Sequence, residues 1–406
     1  MSENFDLCGP LPEKVTVLEA SAGTGKTFTI AALTARYVAE GVPLESLLLV
    51  TFTRIATGEL RERVRERLVS AEHELNRALA SAEVDENDEI ARLLADTDRD
   101  TLLTRRGHLA DAVAGFDAAT IETTHGFCQK VLDELGTLGD LEPDAEFVED
   151  VEELEEEVID DLYLRRFHRS DRPELTREEA GSIARTAIRN PDAVLHPLDA
   201  REESLGAMRR RLAERAREEL RARKRRLAIM TYDDQLTRLR DTLTGPRGDQ
   251  AAARLRARYR VVLIDEFQDT DPIQWEIVER AFGGGETTLV LIADPKQAIY
   301  AFRGADVYAY LRAVHAAGTR RTLSVNRRSD GPLLSALDAL FARARLGHPE
   351  IVYRHVEPAS GHRTARLHGA PEPAALRIRV VDRTQPSVSL TAKGFAEKPS
   401  TCRHIA

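Results

Sequence analysis

The sequence predicts an α/β fold in which helices cover both faces of a parallel sheet. The first observation is a set of short runs made almost wholly of apolar residues, as expected of strands that are buried on both faces. The runs lie at 15–18, 47–50, 261–264 and 288–292. The second observation is that helical patterns alternate with them, and the third is that polar or glycine-rich segments follow them. An open parallel sheet presents such segments to a ligand at the carboxyl ends of its strands.

Composition limits the classes of function. The chain has 406 residues, 42% of them hydrophobic, which is enough for two or more domains with sizeable cores. Its formal net charge of −10 argues against a general coat of nucleic acid but leaves local grooves open. Cys8, Cys128 and Cys402 lie far apart without disulfide or metal spacing, which suits a reducing cytosol. No apolar run approaches the roughly 20 residues of a membrane span, so we expect a cytoplasmic protein with no membrane partner.

The first strand leads into a segment with the pattern of a phosphate-binding loop. It matches G-x-x-x-x-G-K-[ST] at each defined position except the first, where Ala20 replaces glycine. In such a loop the backbone N–H groups and the helix N-terminus face phosphate oxygens, Lys26 reaches the β- and γ-phosphates, and Thr27 ligates Mg²⁺. A helical pattern over 28–39 follows, which disfavours a plain strand-to-helix turn. The predicted nucleotide-binding residues are Ala20, Ser21, Ala22, Gly23, Thr24, Gly25, Lys26 and Thr27.

An acidic pair follows the strand predicted at 261–264. Asp265 at this place can hold Mg²⁺, and the adjacent Glu266 can orient and deprotonate an attacking water. An acidic pair at a strand end is common by itself. Together with the phosphate loop it predicts a site that binds and hydrolyses ATP with Mg²⁺, in which Lys26 and Glu266 are catalytic.

Six further segments resemble, in order, the motifs of superfamily 1 helicases of the UvrD/Rep type. They are residues 51–53, 123–127, 230–234, 265–270, 294–305 and 326–329. Within this family, the forms of residues 19–27 and 294–300 are most similar to those of RecB-type subunits of RecBCD recombination complexes. The ordered set covers most of residues 15–335. The resemblance implies a P-loop NTPase with a RecA-like sheet.

The resemblance assigns further residues to the nucleotide. Gln297 matches the γ-phosphate sensor of the family, and the loop that ends at Arg303 would couple it to the DNA site. Arg328 matches an arginine finger that stabilises charge in the transition state. Arg327 stands where the family usually has an aromatic residue on adenine, and a guanidinium plane can also stack on a base. The alternative is that Arg327 and Arg328 form a surface pair at the start of a helix.

The resemblance also implies contacts with single-stranded DNA. The matching residues are Thr51, Phe52, Thr53, His125, Tyr300 and Phe302. Aromatic side chains can stack on bases of any sequence. For Phe52, core packing is an open alternative, because a lone aromatic residue after an apolar run is usually buried. His125 is expected in the polar loop that ends a short strand within 120–127.

A helical block at about 137–230 interrupts the α/β alternation and predicts an inserted domain. We interpret its acidic stretch, 140–161, as a solvated helix face. For its basic stretch, 201–226, contact with phosphates and pairing with the acidic stretch are equally open. The predicted units are a first motor domain in two parts (1–136 and 229–312), a mostly helical inserted domain (137–228), the start of a second motor domain (313–344) and an incomplete second insertion (345–406).

The resemblance implies an ATP-dependent 3′→5′ DNA helicase subunit. Its expected substrates are single-stranded DNA and duplex DNA ends, and its expected partners are RecC-like and RecD-like subunits. Residues 340–406 contain no recognisable later helicase motif or nuclease site, so we expect an N-terminal portion. Autonomous unwinding is then in doubt, since stepping needs two motor domains. The alternatives are an ATP-binding switch without translocation and a truncated product that competes for the same partners.

Overall fold

The computed structural model describes residues 3–80, 83–135, 146–148, 150–191, 193–199, 201–299, 306–344, 346–367, 369 and 374–378. Its strands are β1 (Glu3–Asn4), β2 (Val15–Ala20), β3 (Leu47–Thr51), β4 (Thr120–Thr123), β5 (Glu146–Phe147), β6 (Ile229–Met230), β7 (Val261–Ile264), β8 (Thr288–Ala293), β9 (Thr319–Leu323), β10 (Val325–Asn326) and β11 (Glu357–Pro358). Seven of them form a parallel sheet in the order β1-β9-β2-β8-β7-β3-β4. This sheet confirms the predicted α/β fold.

Helices flank the sheet on both sides. The helices of the described residues are α1 (Lys26–Ala39), α2 (Arg54–Leu79), α3 (Glu89–Ala95), α4 (Arg99–Ala114), α5 (Thr124–Leu135), α6 (Glu152–Phe167), α7 (Arg177–Arg189), α8 (Leu205–Arg226), α9 (Tyr232–Thr244), α10 (Gly248–Arg258), α11 (Pro272–Phe282), α12 (Val307–Ala316) and α13 (Gly331–Phe341). Within the described ranges, none of the helices has the length and apolar character needed to cross a membrane.

A hydrophobic core lies on each face of the sheet, because successive side chains of a strand point to opposite sides. Along β3, Leu48 and Val50 join one core, while Leu47 and Leu49 join the other. Helices α5, α9, α10, α11 and α12 cover the first core, and α1 to α4 cover the second. Both faces of the central strands are therefore buried, which accounts for the continuous apolar runs of the sequence.

The start of α5 corrects one local prediction. The sequence predicts a polar loop around His125, but α5 begins directly after β4, at Thr124. Thr123 explains this early start, since its hydroxyl accepts a hydrogen bond from the Gly126 N–H at 3.1 Å. The threonine thus satisfies one of the free N–H groups at the helix N-terminus, and His125 lies in the first turn.

Strand β9 corrects a predicted domain boundary. The sequence analysis places residues 313–344 in a second motor domain, yet β9 lies in the first sheet between β1 and β2. Its register with β2 runs from Thr16 opposite Thr319 to Ala20 opposite Leu323. Polar residues occupy most of β9 and only Leu323 is buried, so no apolar run reveals the strand. The first unit extends through this strand, and the other boundaries stay predictions.

Helices α6, α7 and α8, which lie between β5 and β6 in the chain, pack on one another around a small buried core. Ion pairs join the acidic and basic stretches. Asp161 of α6 contacts Arg223 of α8, and the Glu157 carboxylate lies 3.6 Å from the same guanidinium group. For these residues the acidic face is paired rather than merely solvated. Residues 140–145 of the acidic stretch lie outside the described part of the chain.

Candidate functional site

The phosphate-loop segment joins the end of β2 to the start of α1. Gly23 and Gly25 have φ angles of +82° and +89°, a backbone conformation that favours glycine. The Thr24 N–H and hydroxyl both donate to the Ser21 carbonyl, at 3.1 and 2.7 Å, and close the turn. Ala20 is the last residue of β2, and its extended backbone explains why alanine is tolerated at this first motif position.

Lys26 contacts the acidic pair at the end of β7. Its ammonium group forms an ion pair with Glu266, whose φ of +50° turns the chain sharply after the strand. Gln268 holds the same carboxylate by donating to its Oε2 atom at 2.7 Å. The Gln268 carbonyl oxygen accepts the Asp294 N–H at 2.8 Å, so this buried amide ties the end of β7 to the end of β8. The sequence analysis did not single out Gln268, although it lies in a motif.

Two carboxyl groups at this edge of the sheet, those of Asp265 and Asp269, have raised pKa values. Burial and the nearby charge of Glu266 raise the pKa of Asp265 to about 6, and the same two causes raise the pKa of Asp269 to about 6. The Oδ1 atom of Asp269 is buried without a hydrogen-bond partner in the described residues. Thr27 lies in the first turn of α1. Oxygen donors with an unmet demand for positive charge fit a divalent cation such as Mg²⁺.

No cluster of three or more His, Cys, Asp or Glu side chains has metal-binding geometry in the part of the chain that the structure describes. A Mg²⁺ site beside a nucleotide usually has only one or two carboxylates, which act together with phosphate oxygens and water. Asp265 and Thr27 remain the predicted protein ligands.

Asp294 organises the segment that follows β8. Its Oδ1 atom lies 2.6 Å from the Lys296 ammonium group, and its Oδ2 atom accepts a hydrogen bond from the Gln297 amide at 2.8 Å. The Lys296 ammonium group also donates to the Ser21 hydroxyl at 3.2 Å. The predicted phosphate sensor Gln297 therefore lies at the same sheet edge as the phosphate loop. Lys296 is an addition that the sequence analysis did not make.

The segment before α13 packs directly on the phosphate loop. Asn326 donates from its side-chain amide to the Ala22 carbonyl at 2.9 Å, and the Arg327 N–H donates to the Gly23 carbonyl at 2.7 Å. Asn326 also accepts the Arg328 N–H through Oδ1 at 2.9 Å. Arg327 and Arg328 are exposed at the rim of the loop and precede α13. The backbone of this segment thus lies against the phosphate loop, and the nucleotide role of the two arginine side chains stays a prediction.

Two of the predicted DNA contacts, which follow β3 and β4 in the chain, meet in one groove of about 570 Å³. Phe52 and His125 line it, and Phe52 is only half-buried, which argues against a core role for this ring. Thr51 is buried and its hydroxyl lies 2.6 Å from that of Thr57. Thr53 accepts the Ala56 N–H at 3.1 Å and caps α2. The two threonines thus support the groove wall.

The groove also contains residues that the sequence analysis missed. The Tyr232 ring lies 4.9 Å from the His125 ring and 4.2 Å from the Phe147 ring, measured between centroids. Arg54 donates to the Tyr232 hydroxyl at 2.8 Å. Burial lowers the pKa of His125, against a smaller opposing effect of Asp233, so the ring is neutral at neutral pH. The signal for Tyr232 was its place in the motif at 230–234.

Three predicted site residues, Tyr300, Phe302 and Arg303, lie outside the residues that the structure describes. Their assignment to DNA or nucleotide stays a prediction.

Comparison with known proteins decides the family. The family model described as the UvrD/REP helicase N-terminal domain matches residues 7–317. The chain belongs to the UvrD/REP helicase family. Membership confirms the resemblance drawn from the motifs. Membership in this family also implies the use of a nucleotide.

Curated relatives of this UvrD/REP-family chain are RecB subunits. It is 48% identical to the RecBCD enzyme subunit RecB of Mycolicibacterium smegmatis over 383 residues, which cover 93% of this chain and 34% of the relative. It is 46% identical to that of Mycobacterium tuberculosis H37Rv over 386 residues, with 94% and 34% coverage. Identity to the Escherichia coli K12 protein is 29% over 452 residues, with 80% and 38% coverage. The chain thus spans about a third of the length of its mycobacterial relatives.

Proposed function

We propose that this chain contains the ATP-hydrolysing core of a 3′→5′ DNA helicase subunit of the RecBCD type. The observation that carries the proposal is that three separate segments of the chain contact the phosphate loop. The acidic pair after β7, the segment after β8 and the segment before α13 each contact residues between Ala22 and Lys26, or Ser21 beside them. This arrangement suits a site in which one bound nucleotide acts on several strand ends together.

In the proposed reaction the loop N–H groups and Lys26 hold the β- and γ-phosphates of ATP. The Lys26 ammonium group pairs with Glu266, and a phosphate bound in the loop would compete for it. Released in this way, Glu266 accepts a proton from water while the water oxygen attacks the γ-phosphorus and the bond to ADP breaks. Gln268 keeps the carboxylate in position, since its amide still donates to it.

Thr27 and Asp265 are the proposed protein ligands of Mg²⁺, which neutralises phosphate charge when bound. The raised pKa of Asp265 supports this role, because a buried carboxylate gains most from a nearby cation. Arg328 is proposed to stabilise the charge that develops on the γ-phosphate. Arg327 is proposed to stack on adenine, and Gln297 to sense the terminal phosphate.

The groove between β3, β4 and α9 is the proposed site of single-stranded DNA. Phe52, His125, Phe147 and Tyr232 supply flat surfaces for bases, and Arg54 supplies positive charge. Stacking of this kind serves an enzyme that moves along any sequence. RecC-like and RecD-like subunits and duplex DNA ends are the proposed partners, because the relatives are named as RecBCD subunits.

The test is the ATPase rate of the chain with and without single-stranded DNA, beside Lys26→Ala and Glu266→Gln variants. We expect DNA to stimulate hydrolysis, and either substitution to abolish it. Lys26→Ala should also abolish nucleotide binding, whereas Glu266→Gln should retain it. Binding that Lys26→Ala removes, without hydrolysis in the parent chain, would instead favour an ATP-binding switch. Absence of nucleotide binding would overturn the proposal.

A further inference from the structure

We propose that Lys296 is a second phosphate-binding lysine of the nucleotide site, which exchanges Asp294 for the terminal phosphate when a nucleoside triphosphate binds. The inference rests on the proposed function, and it assigns to this side chain the discrimination between triphosphate and diphosphate.

The first support is the position of the ammonium group. Lys296 lies on the short helical turn Pro295–Gln297 that follows β8, and its Nζ atom lies 3.2 Å from the Ser21 hydroxyl. Ser21 is the first residue of the phosphate loop after β2. Strands β2 and β8 are neighbours in register, with Glu19 opposite Ala293, so both segments leave the sheet side by side. The amine is thereby held at the rim of the loop, and its side chain is 19% exposed.

The second support is a parallel with Lys26. Each lysine pairs with a carboxylate that follows a strand of the sheet: Lys26 with Glu266 after β7, and Lys296 with Asp294, two residues before it, after β8. A polyphosphate that enters between these pairs presents oxygens to both ammonium groups. The same competition that frees Glu266 therefore applies to the second pair.

The third support is the local balance of charge. Asp265, Glu266, Asp269 and Asp294 bring four carboxyl groups to this edge, where a bound triphosphate would add further negative charge. The other lysines of the described chain lie elsewhere. Lys14 is exposed just before β2, Lys130 donates to Thr120, and Lys224 pairs with Asp234. Lys296 is thus the lysine that is placed to join Lys26 in offsetting the repulsion.

The exchange links this lysine to the predicted sensor beside it. Asp294 is 2% exposed, and its two oxygens are held by Lys296 and Gln297. When both donors turn to a phosphate, Asp294 keeps only weaker contacts such as the Lys296 N–H at 3.3 Å. An unpaired buried carboxylate is costly, so loss of the terminal phosphate returns both donors to Asp294. The segment after β8 therefore has two arrangements, and the phosphate selects between them.

The experiment compares the affinities of a non-hydrolysable ATP analogue and of ADP, each with Mg²⁺, by fluorescence titration. We expect Lys296→Met to weaken binding of the triphosphate by about tenfold to hundredfold, the loss of one charge-assisted contact, and to change ADP affinity less than about twofold. Lys296→Arg should recover much of the loss. The matched control is Lys14→Met, an exposed lysine at the other end of β2, which should change neither affinity.

A second variant distinguishes a Lys296 that binds phosphate from a Lys296 that only neutralises Asp294. Lys296→Met alone leaves the buried Asp294 carboxylate without its ammonium partner. The double variant Lys296→Met with Asp294→Asn removes that unpaired charge as well. We expect the selective triphosphate defect to persist relative to Asp294→Asn alone. Recovery of triphosphate affinity in the double variant, or equal losses for ATP analogue and ADP, would overturn the inference. Failure of the proposed function appears differently, since the parent chain would then bind neither nucleotide.

Discussion

Arg354 contacts Glu19, a residue 335 positions earlier in the chain that lies two residues before Ser21 of the phosphate loop. Glu19 also accepts hydrogen bonds from the Tyr310 hydroxyl at 2.6 Å and from Arg320 Nε at 2.8 Å. Burial by itself would raise the pKa of Glu19, but these hydrogen bonds and the two guanidinium charges hold it below its usual value. One buried carboxylate thus joins β2 to α12, to β9 and to the chain beyond α13.

Glu19→Gln should destabilise the protein. The amide keeps part of the hydrogen bonding but leaves two arginines without a counter-charge, whose side chains are 28% and 23% exposed. Because solvent screens them in part, we expect the free energy of unfolding to fall by about 1–3 kcal/mol. Urea denaturation measures the change. Glu13→Gln, at an exposed position just before β2, is the control, and an equal effect of both changes would contradict the assigned role.

Asp269→Asn should stabilise the nucleotide-free protein, and the gain over the parent should be larger at neutral pH than at acid pH. The folded pKa of Asp269, about 6, exceeds its unfolded value, so the folded state binds the proton more tightly. The aspartate therefore lowers the free energy of unfolding as pH rises from about 4 toward 6, and asparagine does not. Unfolding measured without Mg²⁺ at pH 5 and pH 7.5 should show the advantage of the variant growing with pH. The exposed change Asp111→Asn is the control, and a constant difference would count against the assignment.

Gly23→Ala should abolish nucleotide binding and disturb the segment before α13. The φ angle is +82°, and a Cβ atom would lie 2.8 Å from Arg328 Cβ and 2.9 Å from Asn326 Oδ1. Either the loop or the arginine segment must move. The matched change is Gly58→Ala within α2, where a Cβ has open space, and there we expect a gain in stability of about 0.5–1 kcal/mol. Normal nucleotide affinity of Gly23→Ala would show that the loop does not depend on this close approach.

Tyr232→Ala should weaken single-stranded DNA binding and leave nucleotide binding in the absence of DNA unchanged. The ring contacts His125 and Phe147 in the groove, and a stack on one base contributes about 1–3 kcal/mol. Fluorescence anisotropy with a labelled oligonucleotide measures the loss of DNA affinity. We expect a loss of about tenfold, which corresponds to one lost base stack. Tyr308→Ala removes an exposed tyrosine outside the groove and should have no effect. Equal DNA affinity of both variants would show that single-stranded DNA binds outside this groove.

The sequence predicts Lys26 as a site residue but misses Tyr232, and the difference between them shows the limit of such prediction. The phosphate loop is a local feature, because its glycines, its lysine and the helix that follows are contiguous and their chemistry needs only neighbouring residues. Tyr232 begins α9, which packs against α5, and its ring partners His125 and Phe147 come from other segments of the chain. The spacing of residues along the chain does not indicate that these rings come into contact.

The strand β9 shows the same limit for the fold. Apolar runs reveal β2, β3, β7 and β8, because burial on both faces demands apolar side chains. Polar residues fill most of β9, so its place in the first sheet follows from its hydrogen bonds with β2 and β1.

The sequence by itself determined the α/β class, the phosphate loop, the acidic pair and the helicase family, since each follows from short contiguous segments or from the order of such segments along the chain. Only the tertiary structure decided that Lys26 holds Glu266, that Gln268 joins β7 to β8, that Lys296 reaches Ser21, and that Arg354 reaches Glu19. These contacts depend on the order of strands in the sheet. That order comes from the packing of the whole chain, and local propensity does not encode it.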